Sequence, residues 1–397
     1  MLGAIYIGLS GMNAYSKGLQ TISNNVANLN SPGFKASSVS FSDVFNYGGL
    51  GMSFFRGSDS QQAGNGVRFG NARIDYTQGD LRQSDNDLDL AVQGNGFMIL
   101  LDGDKTFYAR TGRFVVDEDG YISLEGTKYH LAVIDASHQA VAVNIDGNRT
   151  NQPKATTKIT FSNNISWNST DGALVRDINV YDSRGGKHVW QTKFTQVTGT
   201  TGDWTVTVTN ESGTTVGTST LKFNGHGVID VTTATFTATD TPSGAEPLSV
   251  LLDFAMGVTS TSAGSTNSIS ATPDGNGVGA LSGVTINADG QVELTFSDKQ
   301  TKTVGAVALA DFRDPQQLER VGSGLFQRQG GGQFRVLTSG VEGMGKLVSK
   351  QIEASNVDLS QEFGELILVQ RGFQASSQVV SVSNDMIQQL FGIRGQG

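Results

Sequence analysis

Apolar residues recur at a seven-residue interval at both ends of the chain and alternate with polar residues through its middle. Residues 3–29 contain no proline, and Ile5, Met12, Leu19 and Val26 lie seven apart, with Leu2 and Leu9 supplying part of a companion position. That is coiled-coil spacing. Asn30-Ser31-Pro32-Gly33 ends the run, because proline restricts the residue before it and glycine enters conformations a helix cannot use. The spacing predicts a helix roughly 40 Å long at about 1.5 Å per residue. At the other end Leu359, Leu366, Phe373, Val380 and Ile387 are again seven apart, with Phe363 and Phe391 on the adjacent seam. Asp358 with Gln361 reads as an N-cap and its polar partner, and Gly392 as the stop after the last turn. A second helix of roughly 50 Å over 358–391 is expected. Polar residues interrupt the second seam of both helices, at Ser16 and Ser23 in one and Gln370, Ser377 and Asn384 in the other. Such seams fix register at a cost in stability.

Between the helices the period changes to two. Trp204, Val206 and Val208 alternate with Thr205, Thr207 and Thr209, as a half-buried strand requires. Phe114 to Ile122 around Asp119-Gly120, and Asn287 to Leu294 around Asp289-Gly290, read as hairpins. Residues 36–70 have no clean period and suggest an irregular connector. The polar stretches near 196–220 and 256–285 read as long loops or edge hairpins of an outer domain. The expected fold is therefore mixed and mainly β, with long terminal helices forming a coiled-coil-like inner domain and nested, discontinuous β-rich domains between them. If the helices pack together, the chain must leave and return. The expected divisions are 1–35 with 350–397 for the helices, 36–70 for the connector, 71–149 with 281–349 for a middle domain, and 150–280 for an outer insertion.

A chain of 397 residues is long enough for two to four domains. Its 28 Lys and Arg against 37 Asp and Glu leave no basic excess to hold a nucleic-acid backbone. The absence of cysteine excludes disulfides, thiolate metal sites and a thiol nucleophile. The first ten residues lack a positive n-region, so no cleaved signal peptide is read there. No window supplies the roughly 18 continuous apolar residues of a spanning helix. These features alone suggest a soluble cytoplasmic protein.

Candidate chemistry is sparse. His130, His138, His188 and His226 show no metal-ligand spacing and read as surface or loop residues. Asp85, Asp87 and Asp89 resemble the start of a calcium loop, but Leu90 and Gly96 occupy the positions of its Gly and its bidentate Glu. Ser219-Thr220-Leu221-Lys222 lacks the companion motifs of a Ser/Lys enzyme. Gly64-Asn65-Gly66 and Gly275-Asn276-Gly277 lack the strand-then-helix setting of a phosphate loop and read as turns. Neither catalysis, a metal nor a cofactor is expected.

The most specific run is Asn24-Asn25-Val26-Ala27-Asn28-Leu29-Asn30-Ser31-Pro32-Gly33-Phe34-Lys35, preceded by Gly11-Met12-Asn13-Ala14. It resembles the N-terminal signature of the bacterial flagellar axial proteins of the rod and hook. Asp89 to Phe97, and Arg110 to Phe114 followed by Asp117 and Gly120, resemble two inner motifs of that family. Glu353 to Leu359, with Asn356 and Asp358, and Gln370-Arg371-Gly372-Phe373-Gln374-Ala375 resemble its C-terminal signature. Ser31, Gly372 and Ser376 depart from the usual Thr, Ala and Asn. A helix-interior Gly such as Gly372 costs about 1 kcal/mol relative to Ala, so it marks either a close backbone approach or a weak point.

Rod-type members are typically shorter. The insertion at about 150–280, and the likeness of Phe41 to Gly49 to a hook-type connector, place the chain with the hook-type members. The resemblance implies export unfolded through the flagellar type III apparatus, assembly into a curved homopolymeric tube that carries torque from rod to filament, and neighbours at the distal rod, the hook cap and the hook-filament junction. A distal rod protein, with a straight rigid tube, is the alternative within the family. A secreted β-rich adhesin is the alternative outside it, and leaves both seven-residue repeats unexplained. Half-polar seams bury too little to hold the helices alone, so they are expected to order on assembly, with Ile5, Leu9, Met12, Leu19, Val26, Leu359, Phe363, Leu366, Phe373, Val380 and Ile387 as the polymerisation seam.

Overall fold

A computed structural model describes residues 2–43, 66–169, 171–200, 202–242, 244–262, 267–330 and 333–394. The connector-like residues Val44 to Gly49 and the turn at Gly64-Asn65 lie outside them. The chain is mainly β, with one long helix at each end: α1, Leu2–Ala27, and α2, Leu359–Arg394. It divides into two compact units. The first comprises 1–146, 284–293 and 303–397, and the second 147–283 and 294–302. Both helices and the segments 71–146 and 303–349 thus fall in the first unit, and the second takes in a further nine-residue segment, 294–302, after the expected insertion ends.

Helix α1 stops where the sequence indicates. Ser31 N–H donates to the Asn28 carbonyl in the exit turn, and Gly33 adopts φ +66°, where the Thr111 methyl would lie 2.8 Å from a Cβ. The Asp358 carboxylate accepts from Ser360 N–H at 2.7 Å and Gln361 N–H at 3.2 Å, capping α2. The far end of α2 differs from expectation: the helix continues through Gly392 to Arg394, since glycine weakens a helix without obliging it to end.

In the first unit, antiparallel strands build the core. Strand Phe97–Asp102 pairs with Lys105–Ala109, which pairs with Leu325–Arg328. Asp89–Gln93 lies between Thr111–Val116 and Lys346–Ser349. The hairpin expected at 114–122 forms, with Val116 opposite Ile122 and Phe114 opposite Leu124. Phe97, Tyr108, Phe312 and Phe326 interlock below 6 Å in edge-on pairs at the centre, the geometry aromatic quadrupoles favour.

In the second unit, strands Ala173–Tyr181, Lys187–Gln196, Asp203–Thr209 and Thr215–Lys222 form one antiparallel sheet. Strand Lys158–Ser166 runs parallel to Leu248–Asp253 and Val258–Thr261 in another. Both sheets feed a core around Trp190, Trp204, Phe161, Phe194 and Phe254. Asp203–Thr209 alternates half-buried and buried as its pattern requires. Of the two readings of the polar stretches, loops or edge hairpins, the strands favour the second: Asp203–Thr209 and Thr215–Lys222 form a hairpin at a sheet edge, and Val258–Thr261, Ser270–Pro273 and Gly279–Ile286 are strands as well. Their Ser, Thr and Gly content hides the period, while backbone pairing and β-branched threonine sustain the strands.

Candidate functional site

Helices α1 and α2 pack antiparallel as a hairpin within one chain, but the α1 side of the contact line is not its apolar repeat. Gly8, Gly11, Ala14, Gly18, Ile22 and Asn25 are the buried residues of α1. Gly8 faces Val380, Gly11 faces Ser376, Gly372 faces Tyr15 and Gly18 faces Val369. A Cβ on Gly8 would lie 2.6 Å from the Val380 methyl, and one on Gly372 would lie 2.5 Å from the Tyr15 ring. Small residues therefore let the backbones approach, and Gly372 is a close-packing glycine. Its partner is in the same chain.

The apolar repeat flanks this line. Ile5, Met12, Leu19, Val26, Leu366, Phe373, Val380 and Ile387 are half-buried, whereas Leu9, Leu359 and Phe363 are exposed. Tyr6, Ile367, Leu368, Val379, Val382, Met386 and Phe391 are exposed as well. Gln370 and Arg371 lie on the solvent side of α2.

The hairpin is rooted in a buried polar cluster that joins the two signature motifs. Asn25 donates to the Ser37 carbonyl at 2.9 Å and to Glu362 Oε1 at 2.8 Å, and its Oδ1 accepts from Ser37 N–H at 3.0 Å. Asn356 Oδ1 accepts from Ala36 N–H at 2.7 Å, and its Nδ2 donates to the carbonyls of Asp75 and Thr77. At the centre Glu353, fully buried, accepts from Lys35 Nζ at 2.5 Å, Gly79 N–H at 2.9 Å and Arg110 Nε at 3.3 Å. Arg110 also donates to the carbonyls of Gly96 and Val92, and Lys35 to that of Thr77. Burial lowers the Lys35 pKa while the facing Glu353 carboxylate opposes that shift. Phe34 is buried beneath Arg320, whose guanidinium sits 4.4 Å over the ring.

Not every motif residue joins this cluster. Asn24, Asn28 and Pro32 line an open cleft beside it. Sequence reading assigned no role to Lys35, Arg110, Glu353 or Arg320. A signal existed for Lys35, Arg110 and Glu353, since each is a charged residue inside a family-like motif.

A Ser, His and Asp group occurs at Ser123, His130 and Asp117, but its bonding is not that of a nucleophile. Ser123 Oγ donates its hydrogen to Asp117 at 2.5 Å and so accepts a hydrogen bond from His130 Nδ1–H at 2.9 Å, and Ser123 is buried. The imidazole is thus no base toward that hydroxyl. Two histidines expected at the surface are half-buried: His130 stacks on Tyr121, and His188 Nε2 lies 3.1 Å from Asp182.

Comparison with known proteins decides the class. The chain is 30% identical to the flagellar hook protein FlgE of Escherichia coli over 97% of this chain and 98% of that protein. The chain belongs to the flagellar hook protein family. It is a structural subunit of the bacterial flagellar hook. The corresponding proteins of Treponema pallidum and Borreliella burgdorferi are 26% and 27% identical, over 99% and 98% of this chain and 100% and 99% of theirs. Residues 5–35 match the family described as "Flagella basal body rod protein". Residues 144–277 match "Flagellar basal body protein FlaE D2 domain", and 348–393 match "Flagellar basal body rod FlgEFG protein C-terminal". The crystal structure of Helicobacter pylori flagellar hook protein FlgE2 aligns at a TM-score of 0.48 and 14% identity, covering 69% of this chain and all of that one.

Proposed function

We propose that this hook subunit assembles through the outer faces of its helix hairpin. The observation that carries the reading is the set of large apolar side chains left exposed on both helices. Leu368, Val379, Val382 and Met386, with Ala375 between them, are all exposed. At about 100° per residue they fall within about 60° of one another, roughly 90° round from the line facing α1. Tyr6 and Leu9 are exposed on α1. Being 41–70% exposed, each such side chain gains roughly half of the 1.5–3 kcal/mol of complete burial when covered, about 0.8–2 kcal/mol, and further copies of the chain are the cover the hook family supplies. The half-buried repeat, Ile5, Met12, Leu19, Val26, Leu366, Phe373, Val380 and Ile387, would complete its burial in the same step.

In this reading the helices form the inner wall of a curved, flexible tube that passes torque from rod to filament, and the β units lie outside. The subunit is exported without a cleaved signal through the flagellar type III apparatus. Its neighbours are the distal rod, the hook cap and the hook-filament junction proteins. The role is mechanical: no catalysis, cofactor or metal enters it, and the bonding of Ser123, His130 and Asp117 supports that.

Hydrogen exchange tests the reading. Amides of α1 and α2 should exchange quickly in dilute monomer and become protected in the polymer. Equal protection in both states would show that the hairpin needs no second copy.

A further inference from the structure

The cleft beside the root of α1 has a volume of about 660 Å³ and is walled by residues from 24–34, 111–113, 124–127 and 320–324 and by Ile352, all of the first unit. Asn24, Asn28 and Pro32 form one side, and Thr127 and Ser323 belong to turns that line it elsewhere. These Asn and Pro residues are the parts of the N-terminal signature that the buried root cluster leaves unused. Two cations face the cleft. Arg113 is 62% exposed and reaches only a long contact with Asp89, at 3.8 Å. Arg320, stacked on Phe34, has no carboxylate partner among the described residues, and its Nε is buried without an acceptor. The single carboxylate on the described lining, Glu125, is exposed.

The same hairpin that brings Arg113 to the cleft carries an acidic tip at its other end. Strands Thr111–Val116 and Ile122–Leu124 are joined by Asp117-Glu118-Asp119-Gly120. Glu118 and Asp119 are exposed and make no ion pair among the described residues. Asp117 is engaged with Tyr121 N–H and Ser123. From Arg113 to Val116 is three strand steps, roughly 10 Å at about 3.3 Å each, and the acidic turn lies beyond them. One chain therefore presents a cationic recess and an anionic turn at opposite ends of one rigid element. Two such ends cannot meet within a chain. A head-to-tail contact of this kind is heterologous, and it builds an open helical polymer wherever its rotation does not close a ring.

We propose that the acidic turn Asp117–Gly120 of one copy docks in the Arg113–Arg320 cleft of a second copy, forming an axial contact of the assembly. This deepens the assembly reading and rests on it. The occupant follows from charge: the chain carries nine more acidic than basic side chains, yet this recess carries two arginines to one carboxylate.

Charge exchange tests the contact. Arg113→Glu alone, and Glu118→Arg with Asp119→Arg alone, should each raise the critical concentration for assembly by about tenfold or more, because like charges are brought together. An equimolar mixture of the two variants should assemble again, since each tip then meets an opposite cleft. Recovery in the mixture supports the contact. Assembly of either variant at the wild-type concentration would overturn it while leaving the hook reading intact.

Cysteines supply a second readout that does not depend on Arg113. The chain has none, and a disulfide needs Cα atoms within about 7 Å. Chains with Asp119→Cys mixed with chains carrying Thr127→Cys should give a dimer-sized cross-link only in the polymer. Polymer without that cross-link would refute the contact. A wild-type chain that forms no polymer under any condition would overturn the assembly reading and this inference together.

Discussion

Replacing Glu353 by Gln removes one charge from the root of the hairpin and almost nothing from its volume. The carboxylate faces Lys35 Nζ at 2.5 Å and Arg110 Nε at 3.3 Å, with the side chains of Lys35, Glu353 and Arg110 at 0%, 0% and 5% exposure. Water cannot compensate two cations left in that place. Breaking a buried pair by removing one partner costs about 3–5 kcal/mol. The loss should appear at the amides that tie the motifs together. Gly33 N–H donates to the Glu353 carbonyl at 2.8 Å, Glu353 N–H to Thr111 Oγ1 at 3.1 Å, and Asn356 N–H to the Phe34 carbonyl at 3.3 Å.

Native-state hydrogen exchange should show these amides opening faster in Glu353→Gln by roughly two orders of magnitude or more, at about 1.4 kcal/mol per tenfold. Amides of the Phe97, Tyr108 and Phe326 core should change far less. Adding Lys35→Met to Glu353→Gln should recover part of the loss, because it removes one of the two uncompensated cations and leaves Arg110. A change under about 1 kcal/mol in the single variant would refute the assignment of Glu353 as the anchor of both helices. So would a loss spread evenly through the β core.

Glu362 has a buried Oε2 without an acceptor or donor, and burial raises its pKa, with Glu365 and Asp358 adding to the rise against the Asn25 hydrogen bond. A carboxyl whose folded pKa lies above the unfolded value of about 4.3 stabilises the hairpin fully below that value and loses the contribution as pH rises through the folded one. Helix content of the hairpin followed against pH should fall across that window in the wild type and stay flat there in Glu362→Gln. Gly372→Ala should weaken the hairpin by about 1–3 kcal/mol through overpacking on Tyr15, despite the better helix propensity of Ala. Adding Tyr15→Ala should relieve it, as read by helix melting.

The seven-residue period of both helices is legible in the sequence, as are the exit at Pro32-Gly33, the Asp358 cap and the Trp204 strand. Which residues form the hairpin line is not. Gly11, Gly18 and Asn25 are also seven apart, but a count of apolar positions passes over them, because their role is to permit approach rather than to bury area. The apolar set was therefore read as a single seam, whereas the chain separates a small-residue line within the hairpin from apolar faces outside it. Lys35 and Glu353 are 318 residues apart, so their pairing follows from topology that no local pattern encodes. The strands within 256–285 were hidden because Ser, Thr and Gly give no hydrophobic period, and Ser123, His130 and Asp117 needed the hairpin register to meet.

The central claim is that the outer faces of the helix hairpin are covered by other copies of the chain. Its most direct test is the critical concentration for assembly of the variant Val379→Ser/Val382→Ser/Met386→Ser, measured by sedimentation and electron microscopy beside the melting of its monomer. Each wild-type side chain is between 41% and 51% exposed in the single chain, so about half of its area is already buried there and the monomer should lose a correspondingly modest part of its stability. Covering the remaining half contributes about 0.8–1.5 kcal/mol each, which across three positions should let the wild-type chain form tubes at concentrations where the variant forms none. An unchanged critical concentration, or a monomer destabilised as much as the polymer, would contradict the account.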